Sequence, residues 1–351
     1  MRLLAVCQVD EPGGAEVALL RLLPRLVRRG WDVTLTSPGP GALAEAGFPW
    51  LPLEVGGLAH GAGARAVASW PRARGLSKEH DVTYLNGTVA GRLLPALRGH
   101  RTVLHVHDIV DRVPRHWQGA DTVLAASQAV ADRLTGLRPH VVYCPIELDL
   151  APAPAPWPPG GGPVIGFVGR IEPRKGPLDL ALAAPAIRAV HPDARIVLLG
   201  DDTYDADPDY AAQVRAADGV EHLGHVAGAA AVMGHLDVLV APSRQEPFGT
   251  VLSEAMAAGT PVVATAVDGL PEVVDHDVTG MLVVPGDVPA LAAAVLQVLE
   301  RRDAMGAAAR EAVRRFDADA YADHVERLLL DPPVPAGRFN RRATDRKEAA
   351  T

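Results

Sequence analysis

The segment APAPAPWPPGGGP, Ala151 to Pro163, most limits what this chain can become. Proline fixes φ and donates no backbone hydrogen bond, so the stretch holds neither a helix nor a central strand. It reads as a linker stiffened by proline, and it divides a chain of 351 residues near the middle. On both sides apolar runs alternate with amphipathic helical patterns, the signature of a layered α/β fold. Before the linker, strands are expected at Leu3 to Val9, Trp31 to Thr36, Asp81 to Leu85, Thr102 to His107, Thr122 to Ala126 and Val141 to Tyr143. A helix is expected from Glu16 to Arg29, stopped by Gly30, and another from an N-cap at Ser127 through Leu134. After it come strand VIGFVG, a helix near Pro177 to Val190, strand ARIVLLG and a helix around Tyr210 to Ala217. Strand DVLVAP, a helix after Gly249, and strands PVVAT and MLVV follow. Helices are expected around Ala290 to Arg315 and Ala318 to Leu330. The tail PPVPAGRFNRRATDRKEAAT has no apolar period and reads as disordered.

The expected layout is therefore one α/β domain over 1–150, a linker over 151–163 and a second α/β domain over 164–315. A final helix over 316–332 and a tail over 333–351 complete it. Ligands of open α/β sheets bind at the carboxyl ends of the strands, so two facing domains share one cleft. The formal charge of −8 gives no reason to expect nucleic acid as a partner. Two cysteines, Cys7 and Cys144, fit a reduced compartment. The start, MRLLAVCQVDEPGG, meets Asp10 and Glu11 too early for a secretory signal. No run reaches the roughly 18 apolar residues of a membrane span. The reading is a soluble cytoplasmic protein with at most peripheral membrane contact, as a monomer or homodimer.

Four clusters carry chemistry. The first is PSRQEPFGTVLSEAMAAGTPVVATAVDGLPEVV, Pro242 to Val274, with Glu246 and Glu254 on either side of a helix start. The first backbone N–H groups there, from Phe248, Gly249, Thr250 and Val251, have no partner within the helix and attract anions. Were the whole span helical, the carboxylates would be about 12 Å apart along the axis. That suits a nucleotide sugar, because carboxylates accept hydrogen bonds from paired hydroxyls. Taken singly, Glu254 reads better as an early-helix acid helped by the dipole and Glu246 as a solvated loop residue; together with the glycines they favour the ligand-binding reading. The second is GRIEPRKG, Gly169 to Gly176, at a strand's carboxyl end. Arg170 and Lys175 suit phosphate, and Arg174 reads as part of a solvated basic turn. It is not a Walker A loop, since Gly-Lys-Ser/Thr is missing. The third is EPGGAE, Glu11 to Glu16, where Gly13 and Gly14 let the backbone approach a ligand. The fourth is VLHVHDIVD, Val103 to Asp111. His105 and His107 alternate on a strand, but further ligands are missing, so no metal is expected. His107 reads either as a cleft residue or as a hydrogen-bonded structural histidine.

Together these residues resemble glycosyltransferase family 4, whose members are retaining enzymes with the two-domain GT-B fold. EPFGTVLSEAMAAGTPVVAT, with GLPEVV and TGMLV, is similar to the family's E-x7-E signature. GRIEPRKG is similar to its phosphate-binding segment, and GGAE and HVHD to its N-terminal loop and histidine. The resemblance implies two Rossmann-like domains and sugar transfer from a nucleotide-sugar donor, UDP first and GDP next, to a small-molecule or glycan acceptor. It gives Glu246 the donor-sugar hydroxyls, and gives the sugar and phosphate the backbone of Phe248, Gly249, Thr250 and Val251. Glu254 takes the ribose, Arg170 and Lys175 the diphosphate, Gly13 and Gly14 the close approach to phosphate, and His107 the sugar's 6-hydroxyl. It implies no cofactor and no essential metal, and a last helix, FDADAYADHVERLL, crossing back onto the first domain. Relatives carry an Asn-Gly-Val-Asp-like segment where this chain has CPIELD, Cys144 to Asp149.

Three other functions are weighed. A sugar-nucleotide epimerase needs extra acid–base residues near the sugar carbon, and His107 with a few acids are the only ones available. A non-catalytic nucleotide-sugar binding protein would be favoured by loss of Glu246, Arg170 or Lys175, and all three are present. A phosphorylase needs a pyridoxal lysine, and only Lys78, Lys175 and Lys347 are at hand. The wealth of Gly, Ala and Pro, with Arg over Lys, fits an actinobacterial source.

Overall fold

A computed structural model describes residues 1–57, 62–202 and 207–331. The expected tail over 333–351 lies outside these residues. The first sheet holds seven parallel strands in order β3-β2-β1-β4-β5-β6-β7. They are β1 Arg2–Val6, β2 Asp32–Ser37, β3 Trp50–Pro52, β4 Val82–Asn86, β5 Thr102–Val106, β6 Thr122–Ala125 and β7 Pro139–Val141. Helices α1 Gly14–Arg28, α2 Ala62–Lys78 and α3 Gln128–Arg133 connect them. Successive strand residues point to opposite faces, so Leu3 and Ala5 pack under α1 while Leu4 and Val6 serve a second core with Leu93, Leu94 and Trp117.

The second sheet holds six parallel strands in order β10-β9-β8-β11-β12-β13. They are β8 Val164–Val168, β9 Arg195–Leu199, β10 Glu221–His222, β11 Val238–Ala241, β12 Val262–Thr265 and β13 Gly280–Val283. Its helices are α4 Pro177–Val190, α5 Pro208–Arg215, α6 Thr250–Ala257, α7 Leu270–Val273, α8 Val288–Glu300 and α9 Arg302–Ala312. Ile165, Phe167, Val238 and Val240 face α4 and α8, while Leu239, Ala241, Val262 and Ala264 face α6. In each sheet the strand order reverses beside the first strand, at β1/β4 and at β8/β11, which is where open α/β sheets leave a crevice.

The last helix, α10 Ala318–Leu330, leaves the second sheet and packs on α1. Tyr321, Val325, Leu328 and Leu329 join Leu19, Leu22, Leu23 and Leu26 in one buried cluster. The two chain crossings are hydrogen-bonded to each other: Ile146 N–H donates to Phe316 O at 2.9 Å and Ala318 N–H to Ile146 O at 3.1 Å.

The limits of α4 and α10 match the sequence expectation. Strand β1 stops at Val6 rather than Val9, although the Cys7 N–H still donates to Thr36 O at 2.9 Å. The reading Ala290 to Arg315 is two helices broken at Arg301, with the Asp287 side chain capping Ala290 N–H at 2.9 Å. Four of these elements were not expected: β3, α2, β10 and the single turn α7. The two strands are too short to alternate visibly, and α2 carries Gly63, Pro71 and Gly75, which blur any helical period.

Candidate functional site

Two loops of the second sheet lock together at its crevice. The first follows β8 and runs from Gly169 to Gly176; the second follows β11 and runs from Pro242 to Gly249. Gly176 caps α4 at φ +69°, and a Cβ there would sit 2.2 Å from Pro242 O, so the backbones touch where a side chain has no room. Arg244 N–H donates to Arg174 O at 2.7 Å, and Arg174 Nη1 donates to Gln245 O at 3.4 Å. The Arg174 guanidinium is thus spent on the loops themselves. Lys175 Nζ forms an ion pair with Glu246 Oε2, both side chains being largely shielded. Arg170 Nη2 lies 3.2 Å from Glu172 Oε1, an oxygen also paired with Arg174 Nη2 at 3.0 Å.

Glu246 is held by a third loop. Its N–H donates to Asp268 Oδ2 at 3.0 Å, and its carbonyl accepts from Gly269 N–H at 3.0 Å. Asp268 sits at φ +39°, unusual for a residue with a side chain. Gly249 caps α6 in the left-handed region. Leu252 and Ser253 N–H both bond Gly249 O, at 2.9 and 3.3 Å, so the N–H groups of Gly249, Thr250 and Val251 precede the helical ladder. The Phe248 side chain faces away from them, buried against Tyr143 and Phe316 with ring centroids 5.8 and 5.0 Å away. One turn into α6, Glu254 Oε1 receives Arg21 Nη2 of α1 at 2.5 Å.

Across the cleft, Gly13 caps α1 and Gly14 opens it. A Cβ on Gly14 would meet no atom within 4 Å, so the bare backbone borders open space. Gly13 N–H donates to Glu16 Oε2 at 3.1 Å, the half of a capping box that a glycine cap allows. Glu16 is 3% exposed, and burial pushes its carboxyl up to about 7. His107, just past β5, donates from Nε2 to Asn86 Oδ1 at 3.0 Å. It is 8% exposed, and burial lowers its pKa to about 3, so the ring is neutral. Its Nδ1 has no partner among the described residues. His105 stacks beside it with ring centroids 3.8 Å apart, and its Nδ1 shares a hydrogen bond with the Tyr84 hydroxyl at 2.5 Å. Among the described residues no group of three or more His, Cys, Asp or Glu is placed to hold a metal ion.

The structure thus brings Lys175, Glu246 and the start of α6 together on the second sheet. Gly14 and His107 lie at the carboxyl ends of strands of the first. Contacts between the two halves flank the loop after β11. Ser127 Oγ donates to Pro247 O at 2.5 Å. Glu272 of α7 accepts from Gln128 N–H and Ala129 N–H, both at 2.7 Å, and so caps α3 from the other half. Five residues of this neighbourhood were not singled out from sequence: Glu16, Arg21, Asn86, Asp268 and Glu272. Glu16 had a local signal, three residues after the N-cap glycine. Arg21 had none, because its partner is 233 positions away.

Comparison with known proteins supplies the lineage. Residues 12–150 match the family model described as Glycosyltransferase Family 4, and residues 162–301 match Glycosyl transferases group 1. The chain is 31% identical over 368 residues to phosphatidyl-myo-inositol mannosyltransferase of Mycobacterium leprae, covering 93% of this chain and 96% of that enzyme. It is 34% identical over 248 residues to glycogen synthase of Mycobacterium tuberculosis, a match over 68% of this chain and only 59% of that enzyme. Among solved structures, Anabaena HepE in complex with UDP-glucose superposes with a TM-score of 0.77 at 25% identity, over 94% of this chain and 99% of that one. Two parallel-sheet α/β halves with GT-B structural neighbours and a full-length relative leave one assignment: the chain belongs to glycosyltransferase family 4.

Proposed function

We propose that this chain transfers a sugar from a nucleotide-sugar donor to an acceptor hydroxyl with retention at the anomeric carbon. The observation that carries the reading is the Lys175–Glu246 ion pair beside the start of α6, where N–H groups precede the helical ladder. A cation, a carboxylate and a helix N-terminus within one loop pair match a diphosphate joined to a polyhydroxylated ring. Glu246 receives the sugar hydroxyls, and the backbone of Gly249, Thr250 and Val251 faces sugar and phosphate. Arg170 and Lys175 meet the charge that grows on the leaving diphosphate. Glu254 takes the ribose hydroxyls. Gly14 lets the first half approach the phosphates, and neutral His107 contacts the sugar. UDP is the first choice of nucleotide, supported by the UDP-glucose complex of HepE, and GDP the second. The acceptor class is a soluble small molecule.

In the reaction the bond from the anomeric carbon to the diphosphate oxygen breaks, and its electron pair stays with that oxygen. The acceptor oxygen attacks from the same face, and its proton passes to the departing phosphate. No protein nucleophile is required. Lys175 held by Glu246 starts in place for this charge transfer, which limits reorganisation on the way to the transition state. The test is turnover of UDP- and GDP-sugars by Glu246→Ala and Lys175→Ala. Each is expected to lose about a hundredfold or more in kcat, as when one charge-stabilising group is removed. Near-normal turnover in both, with folding intact, would overturn the site assignment.

A further inference from the structure

Helix α1 presents Arg21, Arg25 and Arg29 four residues apart, so their side chains share one face. Each is committed to a different part of the molecule. Arg29 pairs with Glu326 of α10 at 3.0 Å. Arg25 grips both oxygens of Glu147, in the crossing segment, at 2.8 Å each, and Asp319 of α10 at 2.8 Å. Arg21, at the cleft end of the row, donates Nη1 to Pro145 O at 2.7 Å and Nη2 to Glu254 Oε1 at 2.5 Å. Its guanidinium is therefore oriented by a crossing-segment carbonyl before it meets the carboxylate. The two side chains are only 14% and 15% exposed, so this pair is less screened than a surface ion pair.

Glu254 Oε1 is engaged, while Oε2 receives no hydrogen bond among the described residues. A cavity of about 400 Å³ opens beside it, lined by Arg21, Leu148, Ala231, Glu254 and Ala257. A carboxylate offers about four acceptor directions, so one fixed donor leaves room for a pair of hydroxyls. We propose that Arg21 is a positioning residue for the nucleotide: it is supplied by the first half of the chain and holds the Glu254 carboxylate, on the second, aimed at a ribose diol. The proposal rests on the reading that Glu254 receives the ribose. Because the arginine and the carboxylate lie on opposite halves, nucleotide binding and the approach of the halves strengthen each other by the same factor. The donor site is complete only when the acceptor half is in place.

The experiment is a double-mutant cycle on the dissociation constants of UDP and GDP, with wild type, Arg21→Met, Glu254→Gln and the double variant. Arg21→Met is expected to weaken binding of the preferred nucleotide about tenfold, within the usual coupling between residues in contact. In the Glu254→Gln background the same change is expected to have less than about a twofold effect. Arg21→Lys keeps the charge without the fork and is expected to recover part of the loss, which also serves should the Met variant fold poorly. If Arg21 acted only by bracing the crossing segment through Pro145 O, its effect would persist in full beside Glu254→Gln, and the proposal would be overturned. Unchanged or tighter binding in Arg21→Met would overturn it as well. Failure of the wild type to bind either nucleotide would instead remove the donor-site reading beneath it.

Discussion

At the scale of single residues, buried charge decides most of the chemistry. Glu16 accepts the Gly13 N–H at the start of α1, yet its carboxyl is raised from 4.5 to about 7 by burial. Between those values the folded state holds a proton that the unfolded chain has released. Stability from this group is therefore full below about pH 4.5 and is lost as pH rises toward 7, a loss on the order of 3 kcal/mol. Glu16→Gln keeps an oxygen that accepts the Gly13 N–H and cannot ionise. Thermal or urea melts between pH 5 and 8 are expected to show the variant gaining on wild type as pH rises. A parallel pair of pH curves would contradict the burial account. His107 acts in the opposite sense, since its lowered pKa withdraws stability as pH falls from 6.5 toward 3. Residues of this kind differ in how far sequence reveals them. Glu246, Lys175 and Gly249 stand out because each sits in a distinctive local segment at a strand end before a helix, although the Lys175–Glu246 pair itself spans 71 positions. Arg21 and Asp268 gain meaning only from long-range contacts, with Glu254 and with the Glu246 backbone.

At the scale of elements, the α6 start depends on one glycine. Gly249 adopts φ +97°, and a Cβ there would lie 2.6 Å from Leu270 Cδ2. Gly249→Ala therefore meets both backbone strain and a packed neighbour. It is expected to cost about 1–3 kcal/mol of stability. It also displaces the first N–H groups of α6, so donor KM is expected to rise more than kcat falls; unaltered KM with normal stability would contradict that role for the helix start. The element pattern was readable where apolar periods were long and caps were explicit. Helix α4 shows this, with Gly176 before it and Pro177 at its first position. It failed where the element was a two- or three-residue strand, or where glycine and proline interrupted the period, as in α2. Helix α3 was legible from its Ser127 cap, but its second cap, Glu272 from the other half, was not.

At the scale of the whole molecule, the chain crosses between its halves twice, and the crossings are bonded at Ile146, Phe316 and Ala318. Helix α10 then buries its apolar face on α1, whose arginines reach the crossing segment and, through Arg21, the Glu254 carboxylate. One helix thus touches the C-terminal element, the crossing and the candidate ribose site. The central claim is that this assembly forms a nucleotide-sugar site built on Lys175 and Glu246. Calorimetric titration of the purified chain with UDP and with GDP tests it most directly, first for wild type and then for Lys175→Ala. Saturable one-to-one binding of one nucleotide, lost in the variant, is the expected result. Binding of neither nucleotide by wild type, or binding that survives unchanged in Lys175→Ala, would contradict it.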